Sequence, residues 1–405
     1  MRKFDLKEHC SKEERLNASE RAVLVGHARA LDLSITPTSS EDTYILRPGS
    51  TVGAVEIDGL SVRIEPKIGI TQLLSIACYA IDKVKFQPTD FDFPEHPALS
   101  DALAIALERA ARYAFARGLL HGYRTEEEAL HTVRGRIRFD DQLRRRFGVP
   151  LPVEVRYDEF TDDIPANRVI KAAARRLAGM RLRSDKARVG LGWIAAMLDN
   201  VSLREYAPND VPDITFDRLN AHYRAVVALA RLVLQRNAFE AARGAVRASG
   251  FLMDMNEVFQ GFVTVALRDV LGLTEREFGE YNVGTLDEEG ESGRLRPDLV
   301  WRGGARDIFV GDAKYKNITG ERVPNTDLYQ LLAYTTALNL PGGLLIYAKG
   351  EADAAAYTVR NAGKRLEVAA LDLEGTLDDV LARIARIAED VRRLAGKAPS
   401  VRLAS

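Results

Sequence analysis

Three residues have types and spacing suited to phosphodiester hydrolysis: Asp298, Asp312 and Lys314. Two carboxylates can hold a hard divalent cation such as Mg²⁺, and an adjacent ammonium can orient or help to deprotonate the attacking water. Asp312 interrupts an otherwise apolar run, and a buried carboxylate needs a cation or hydrogen-bond donors to offset its desolvation. The alternative, a surface hairpin carrying an ion pair, would contribute little to stability or function. The pattern therefore favours a metal-dependent nuclease site.

Two apolar runs must position these three residues. The runs at 299–301 and 308–311 have the length of strands, and the Gly-rich break at 302–305 is typical of a turn, so the sequence predicts a hairpin. Side chains alternate between the two faces of a strand, which places Asp312 and Lys314 on one face. We expect Asp298 to face them across the strand pair.

The sequence after the hairpin predicts a helix and a further strand beside the site. Residues 327–334 have helical character, and Gln330 and Tyr334 share one face of that helix because they are four apart. Residues 342–347 form an apolar run of strand length. The order strand, strand, helix, strand predicts an α/β core that carries the site.

These motifs resemble the PD-(D/E)xK nuclease superfamily, and Gln330 and Tyr334 match the Q-x-x-x-Y helix of its branch related to the RecB nuclease domain. The segments at 133–139, 157–171 and 254–263 are similar to the McrC family, which narrows the resemblance. McrC is the nuclease subunit of McrBC restriction systems, which are of type IV and depend on DNA modification. The similarity covers most of the chain.

The resemblance implies a role for each residue of the site. Mg²⁺ would be held by the two aspartates and by the carbonyl of Ala313, and hydrolysis would leave a 5′-phosphate and a 3′-hydroxyl. The lysine would orient the water or stabilise charge in the transition state, while the glutamine and the tyrosine would position the scissile strand. The residues with these expected catalytic roles are Asp298, Asp312, Lys314, Gln330 and Tyr334.

A further metal ligand is expected from the helix before the hairpin. Many members of the superfamily have a Glu there, but this sequence has Gln260 at the matching position. An amide oxygen is a weaker ligand than a carboxylate. Glu257 lies one turn earlier, so it replaces Gln260 only if the local register differs. Both residues remain candidates at this point.

The fold class predicted from the sequence is α+β with three regions. Residues 1–97 form a small β-rich module that begins with a charged, helix-like stretch and ends in an irregular linker from about residue 86. Residues 98–245 form a mainly helical region that contains a β-hairpin. Residues 246–405 form the α/β PD-(D/E)xK domain. At 405 residues, the chain is long enough for two or three domains.

The hairpin of the middle region carries a basic run. We predict paired strands at 130–139 and 151–157, with Arg134, Arg136 and Arg138 on the first. This run either engages phosphate or an acidic partner, or is a solvated face balanced by nearby acidic residues. The family resemblance favours a partner, because the N-terminal half of McrC enters the pore of a hexameric McrB ring and stimulates its GTPase. By this resemblance, the segment at 133–139 and its neighbours are the candidates for the inserting element.

Composition limits the other classes of function. The formal net charge is −1, so any binding to a DNA backbone depends on local patches or on a partner. No phosphate-binding loop is present, and the six histidines lack the spacing of a zinc site. The two cysteines, Cys10 and Cys78, have no Cys-x-x-Cys partners, and no apolar run approaches the length needed to span a bilayer. We expect a protein of the reducing cytoplasm.

The leading hypothesis is an Mg²⁺-dependent DNA endonuclease subunit that is activated by an McrB-like AAA+ GTPase hexamer. Its substrate would be double-stranded DNA, with any modified base read by the partner, and a double-strand cut would require a second copy of the chain. One alternative is an adaptor that activates the ring without needing its own catalysis. A second alternative is a stand-alone repair nuclease of the RecB-like branch.

Overall fold

The computed structural model describes residues 2–85, 98–147, 149–235, 248–287, 293–304, 306–315, 323–348 and 355–396. The chain forms two compact units: Met1–Leu99 together with Ala238–Ser405, and Ser100–Asn237. The sequence analysis had placed the first and last parts of the chain in separate regions, whereas here they form one unit. The linker predicted from residue 86 lies outside the described residues.

The N-terminal strands of the first unit belong to two sheets. A four-stranded sheet has the order β1-β6-β5-β10, and a three-stranded sheet has the order β2-β4-β3. The strands of the first sheet are β1 (Arg2–Lys7), β5 (Thr51–Ile57), β6 (Leu60–Glu65) and β10 (Ala248–Asp254). The second sheet contains β2 (Lys12–Arg15), β3 (Leu33–Pro37) and β4 (Thr43–Pro48). The helices that accompany them are α1 (Ala18–His27) and α2 (Ile70–Asp82).

Strand β10 is what joins the two ends of the chain into one unit. It pairs antiparallel with β5, with Gly53 opposite Leu252. A Cβ at Gly53 would lie 2.1 Å from the carbonyl oxygen of Phe251, and its φ of +134° is one that other residues rarely adopt. The close approach of the two backbones therefore depends on glycine. Two strands so distant in sequence give no local signal of their pairing.

The first thirty residues differ from their sequence prediction. A charged helix was expected, but two strands, β1 and β2, precede the helix α1. Phe4 and Leu6 alternate with charged residues along β1, so the two apolar side chains share one face of the strand. Both are buried in the core. The helix-like composition was a poor guide because charged residues also occupy the exposed face of this strand.

The remainder of the first unit is an α/β layer around a six-stranded sheet of order β11-β12-β13-β14-β16-β15. Helix α9 packs on one face, where an apolar cluster includes Val310, Leu331 and Leu345, and α8 and α10 pack on the other. The strands are β11 (Phe278–Gly279), β12 (Leu299–Arg302), β13 (Asp307–Lys314), β14 (Gly342–Ala348), β15 (Ala355–Thr358) and β16 (Arg365–Leu371). The helices are α8 (Met255–Leu271), α9 (Asn325–Ala337) and α10 (Leu377–Leu394). The predicted order of strand, strand, helix and strand is confirmed.

The second unit is mainly helical, as predicted. Its helices are α3 (Leu99–Phe115), α4 (Phe139–Arg146), α5 (Pro165–Ala178), α6 (Asp185–Met197) and α7 (Arg224–Gln235). Its sheet has the order β7-β9-β8, formed by β7 (Gly122–Leu130), β8 (Arg136–Ile137) and β9 (Val153–Thr161). In neither unit is any helix of the described residues long and apolar enough to cross a membrane.

The β-hairpin of the second unit exists, but its first strand was placed too late in the sequence. Strand β9 pairs along its whole length with β7, and the predicted strand at 130–139 is reduced to the two residues of β8. Gly135 explains the break, because its φ is +72° and a Cβ there would lie 2.4 Å from the carbonyl oxygen of Arg156. Three consecutive glutamates from Glu126 to Glu128 hid β7, since such a run is unusual in a strand.

Ion pairs and hydrogen bonds at the base of this hairpin hold the start of α5. Asp163 is buried, accepts two hydrogen bonds from the Arg168 guanidinium at 2.6 and 2.8 Å, and also accepts from the Ser202 hydroxyl. The hydrogen bonds from Arg168 hold the pKa of Asp163 well below its usual range. Asn167 is buried and donates to the carbonyls of Leu120 and Asp162. These residues fix the start of α5 and have a structural role.

Candidate active site

Strands β12 and β13 bring the two predicted aspartates together. The strands are antiparallel, with Leu299 opposite Gly311, so Asp298 lies opposite Asp312. The backbone N–H of Asp298 lies 3.4 Å from Oδ1 of Asp312, to which it donates, and Oδ2 of Asp298 accepts a hydrogen bond of 2.9 Å from the backbone N–H of Ala313. Asp312 is only 1% exposed, as its position in an apolar run predicted. The hairpin therefore places two carboxylates side by side in a buried setting.

The predicted lysine lies against this pair. The ammonium of Lys314 forms an ion pair with Oδ2 of Asp312, and this oxygen has no hydrogen-bond donor of suitable geometry among the described residues. Burial acts to lower the pKa of Lys314, but the charges of Asp312 and Asp298 outweigh it, so the pKa is raised and the ammonium stays protonated. Burial and the neighbouring Asp312 raise the pKa of Asp298 well above its ordinary value. One ammonium is thus shared between two desolvated carboxyl groups.

Helix α8 contributes Gln260 to the same cluster. Its amide nitrogen donates to Oδ1 of Asp298 at 2.7 Å, whereas Glu257, one turn earlier, is exposed. Of the two candidates that the sequence left open, Gln260 is the one that contacts an aspartate of the site. Rotation of its amide by half a turn would direct the oxygen towards the same position, since the two ends of an amide differ little in shape.

Helix α9 completes the cluster with the predicted polar pair. Gln330 donates from its amide nitrogen to the hydroxyl of Tyr334 at 2.8 Å. Tyr334 is buried, and this burial, together with the charge of Asp312, raises the pKa of its hydroxyl, which therefore stays protonated. The helix packs on the sheet face from which Asp312 and Lys314 project, because Val310, on the same face of β13, belongs to the apolar cluster beneath α9. All five predicted catalytic residues thus lie in one region of the first unit.

The donor atoms at this cluster suit a hard divalent cation. They are the carboxylate oxygens of Asp298 and Asp312, with the Gln260 amide beside Asp298, and oxygen donors of this kind are preferred by Mg²⁺. The buried Oδ2 of Asp312, which lacks a hydrogen bond within the described part of the chain, is consistent with a ligand role. No group of three or more His, Cys, Asp or Glu side chains able to hold a metal occurs in the described residues, so a cation here would depend on two carboxylates together with amide, backbone or water oxygens.

A third carboxylate near the site was not predicted from the sequence. Asp327, in the first turn of α9, is buried and accepts a hydrogen bond of 2.5 Å from the hydroxyl of Tyr347 on β14. Strands β13 and β14 are parallel and pair Lys314 with Tyr347. An acidic residue in the first turn of a helix is common, because it interacts favourably with the helix dipole. The local sequence therefore gave no indication that Asp327 lies on the same side of the sheet as Lys314.

A buried glutamate that directly follows β1 also contacts the residue after β13. Glu8 is fully buried, and its Oε2 accepts from the backbone N–H of Lys67 at 3.0 Å and from the hydroxyl of Tyr315 at 3.3 Å. Tyr315 directly follows the predicted catalytic lysine. Its ring also contacts Phe259 of α8, with 5.9 Å between the ring centroids. This contact depends on the joining of the two ends of the chain, which the sequence did not reveal.

Removing the charge of Glu8 should change how stability depends on pH. Burial raises the pKa of Glu8 from 4.5 to about 7, and the groups around it are His9, Lys67, Tyr315 and Asp254. The folded protein therefore binds the proton of Glu8 more tightly than the unfolded chain does, and stability is lost as pH rises from about 4.5 to about 7. Glu8→Gln cannot lose a proton, so its free energy of unfolding should rise relative to wild type by roughly 3 kcal/mol over this interval.

Chemical denaturation of Glu8→Gln and wild type at pH 5 and pH 8 measures this difference. Glu13→Gln, an exposed substitution on β2, is the matched control and should show no such trend. An equal offset between Glu8→Gln and wild type at both pH values would contradict the expected ionisation of Glu8.

The basic run of the second unit is partly exposed, and the same unit also exposes several aromatic side chains. Arg134 and Arg136 are exposed, and the guanidinium of Arg134 lies over the ring of Tyr157 at 4.2 Å. Arg138 is different, because it forms ion pairs with Glu127 and Asp141. The exposed aromatic residues are Tyr123, Phe139, Phe147 and Phe160. The ion pairs of Arg138 fit the solvated-face interpretation for that residue, and engagement of a partner or of phosphate by the exposed Arg134 and Arg136 stays a prediction.

Comparison with known proteins agrees with this architecture. Residues 46–348 match the model of the family described as McrBC 5-methylcytosine restriction system component. The type IV methyl-directed restriction enzyme EcoKMcrBC of Escherichia coli K12 is 22% identical over 267 residues, which cover 62% of this chain and 76% of the relative.

A solved structure has a similar fold. It is a half-complex from the tetradecameric assembly of Thermococcus gammatolerans McrB AAA+ hexamers with bound McrC, in which one chain matches with a TM-score of 0.58 and 18% identity. The match covers 96% of this chain and 100% of that one. Since the family match extends over three-quarters of the sequence and contains all the candidate site residues, this chain belongs to the McrBC 5-methylcytosine restriction system component family.

Proposed function

We propose that this chain is the Mg²⁺-dependent endonuclease subunit of an McrBC-like restriction complex, with the PD-(D/E)xK site at Asp298, Asp312 and Lys314. The observation that carries the proposal is the meeting of a buried and a partly buried carboxylate with one ammonium at neighbouring strands, on the sheet face covered by the helix that carries Gln330 and Tyr334. A structural ion pair does not require a second desolvated carboxylate, because two like charges in a buried site repel each other. A cation bound there would offset this repulsion.

Each residue of the cluster has a role that its position supports. Asp298, Asp312 and the carbonyl of Ala313 would hold the cation, with the amide of Gln260 as a neighbouring donor. When bound, Mg²⁺ supplies a Lewis acid for the phosphate and lowers the pKa of a coordinated water. Lys314, protonated through the influence of the aspartates, would stabilise the negative charge that develops on the phosphate.

Helix α9 would fix the scissile strand. Gln330 is partly exposed and donates to the hydroxyl of Tyr334, and both side chains belong to the helix that packs on the sheet face of Asp312 and Lys314. Tyr334 remains neutral because its pKa is raised, and a neutral hydroxyl can donate to a phosphate oxygen, whereas a phenolate cannot. Correct placement of the reacting phosphate is a large part of catalysis in such sites.

The partner proposed for the chain is an McrB-like AAA+ GTPase hexamer. Family membership supports it, and the solved structure with a similar fold contains McrB hexamers with bound McrC. The second unit offers candidate residues for contact with such a partner, since Arg134 and Arg136 are exposed and the unit also exposes aromatic side chains such as Phe147, which is 90% exposed. In this proposal the partner selects the modified DNA, and a second copy of the chain cuts the other strand.

The adaptor alternative retains some support. The same exposed surface of the second unit would suffice to activate a ring without catalysis by the first unit. The two functions make different demands, because an adaptor needs no metal at Asp298 and Asp312. The stand-alone nuclease is less well supported, because a net charge of −1 provides little general attraction for DNA.

Reconstitution tests the proposal. The purified chain, an McrB-like partner, GTP, Mg²⁺ and methylated duplex DNA are combined, and each component is omitted in turn. We expect cleavage only in the complete mixture, with 5′-phosphate ends that ligase can rejoin. Cleavage by the chain and Mg²⁺ alone would favour the stand-alone nuclease, and its absence from the complete mixture at any Mg²⁺ concentration would favour the adaptor.

A further inference from the structure

Asp327 is a buried carboxylate that the proposed catalytic roles do not use. It is 6% exposed, whereas Asn325 and Thr326, in the same first turn of α9, are exposed. An acidic side chain at this end of a helix gains from the helix dipole without being buried. Burial adds a desolvation cost that nearby donors or cations must offset. The position of Asp327 therefore calls for an explanation beyond the stability of the helix.

Tyr347 connects Asp327 to the catalytic lysine proposed above. In the parallel pair of β13 and β14, Lys314 is aligned with Tyr347, and aligned residues on neighbouring strands project from the same face of the sheet. Tyr347 is fully buried, and its hydroxyl donates to Oδ2 of Asp327 at 2.5 Å. The carboxylate is thus held by the side chain that is aligned with Lys314 on the neighbouring strand, on the same side of the sheet as the ammonium.

A second anion beside Lys314 becomes important once a cation is bound. The ammonium now contacts Oδ2 of Asp312, which is one of the oxygens proposed to hold Mg²⁺. Two cations compete for one carboxylate oxygen, and each weakens the hold of the other. A second anion on the same side of the sheet, held by the neighbouring Tyr347, would allow the ammonium to remain at the site while Asp312 serves the metal.

We propose that Asp327, anchored by Tyr347, is a positioning residue that holds Lys314 at the active site when Asp312 is engaged by a divalent cation. This inference rests on the proposed nuclease function. It predicts two consequences of Asp327→Asn, which keeps the size of the side chain and removes its charge. Lys314 should commit more fully to Asp312 and hinder the metal, and it should be misplaced during cleavage.

Isothermal titration calorimetry with Mg²⁺ tests the first consequence without relying on activity. We expect Asp327→Asn to weaken Mg²⁺ binding by the chain roughly 3- to 10-fold. In a Lys314→Ala background the same substitution should have no effect, because the competing ammonium is absent. An equal weakening in both backgrounds would overturn the proposal, because Asp327 would then act only as a general negative charge. No weakening in either background would also overturn it.

Single-turnover cleavage by the reconstituted complex tests the second consequence. Asp327→Asn should lower the cleavage rate by roughly 10- to 100-fold with little change in DNA affinity, since a misplaced group impairs the reaction more than binding. Tyr347→Phe keeps the carboxylate but releases it, so a smaller loss of roughly 3- to 10-fold is expected. Tyr347→Phe carries the test if Asp327→Asn fails to fold.

Asp378→Asn is the matched control, because Asp378 is an exposed aspartate in the first turn of α10 and should affect neither measurement. A wild-type rate in both Asp327→Asn and Tyr347→Phe would overturn the positioning role while leaving the proposed nuclease intact. If the wild-type complex does not cleave DNA, the proposed function fails, but the calorimetric comparison still decides whether Asp327 acts through Lys314.

Discussion

Asp312→Ala should abolish DNA cleavage by the reconstituted complex and leave activation of the partner intact. The substitution removes a carboxylate proposed to bind the metal and leaves Lys314 without its ion-pair partner. Loss of one such electrostatic stabiliser typically lowers the rate by about 10²–10³-fold. The proposed partner surface belongs to the other compact unit, Ser100–Asn237, so stimulation of GTP hydrolysis should remain at the wild-type level.

The measurement for this prediction is a cleavage time course and a GTPase assay on the same protein preparations. Asp307→Ala is the matched control, since Asp307 lies at the other end of β13 and pairs only weakly with Arg302 at 3.8 Å. It should cleave as wild type does. A parallel loss of cleavage and GTPase stimulation in Asp312→Ala would indicate misfolding or a shared site, and would contradict the separation of the two functions.

Replacing Arg134, Arg136 and Arg138 together by Glu should abolish stimulation of the partner GTPase. The three changes reverse the charge of the basic run. If the partner surface is acidic, the new glutamates would repel it, which slows association and weakens binding. Cleavage by the complex should be lost as well, because activation by the ring precedes it. GTP turnover at saturating concentrations of the variant provides the measurement.

The structure suggests a sharper version of this experiment. Arg138 forms ion pairs with Glu127 and Asp141 within the second unit, so its reversal risks local unfolding. Arg134→Glu with Arg136→Glu changes only the exposed arginines and should still abolish most of the stimulation. Arg188→Glu is the control, because it makes the same type of charge reversal at one exposed arginine on α6. Full stimulation by the double variant, with the fold retained, would contradict the proposed partner surface.

The core of the candidate site could be predicted from the sequence because its signals are local. The alternation of side chains along β13 placed Asp312 and Lys314 on one face, and the glycines at 303 and 304 marked the turn that brings Asp298 opposite. The spacing of Gln330 and Tyr334 likewise fixed their shared face of α9. Residues close in sequence are ordered by backbone geometry alone, which a periodic pattern reveals.

The contacts that were missed join segments that are distant in sequence. Asp327 meets Tyr347 only through the pairing of β13 with β14, and Glu8 meets Tyr315 only through the joining of the two ends of the chain. Neither depends on a local pattern. The first strand of the hairpin in the second unit was predicted at the wrong position because β7 carries glutamates, which are uncommon in strands. Glu127 is accommodated there by ion pairs with Arg138 and Arg156, which a local pattern does not reveal.

The most direct test of the central claim compares cleavage of methylated duplex DNA by complexes containing wild-type, Asp312→Ala or Lys314→Ala protein in saturating Mg²⁺ and GTP. The proposed nuclease predicts that the wild-type complex cuts the DNA, that Lys314→Ala cuts it slower by about 10²–10³-fold, and that Asp312→Ala produces no detectable cut. Cleavage at the wild-type rate in both variants would contradict the assignment of this site, and the chain would then be an adaptor of the AAA+ ring.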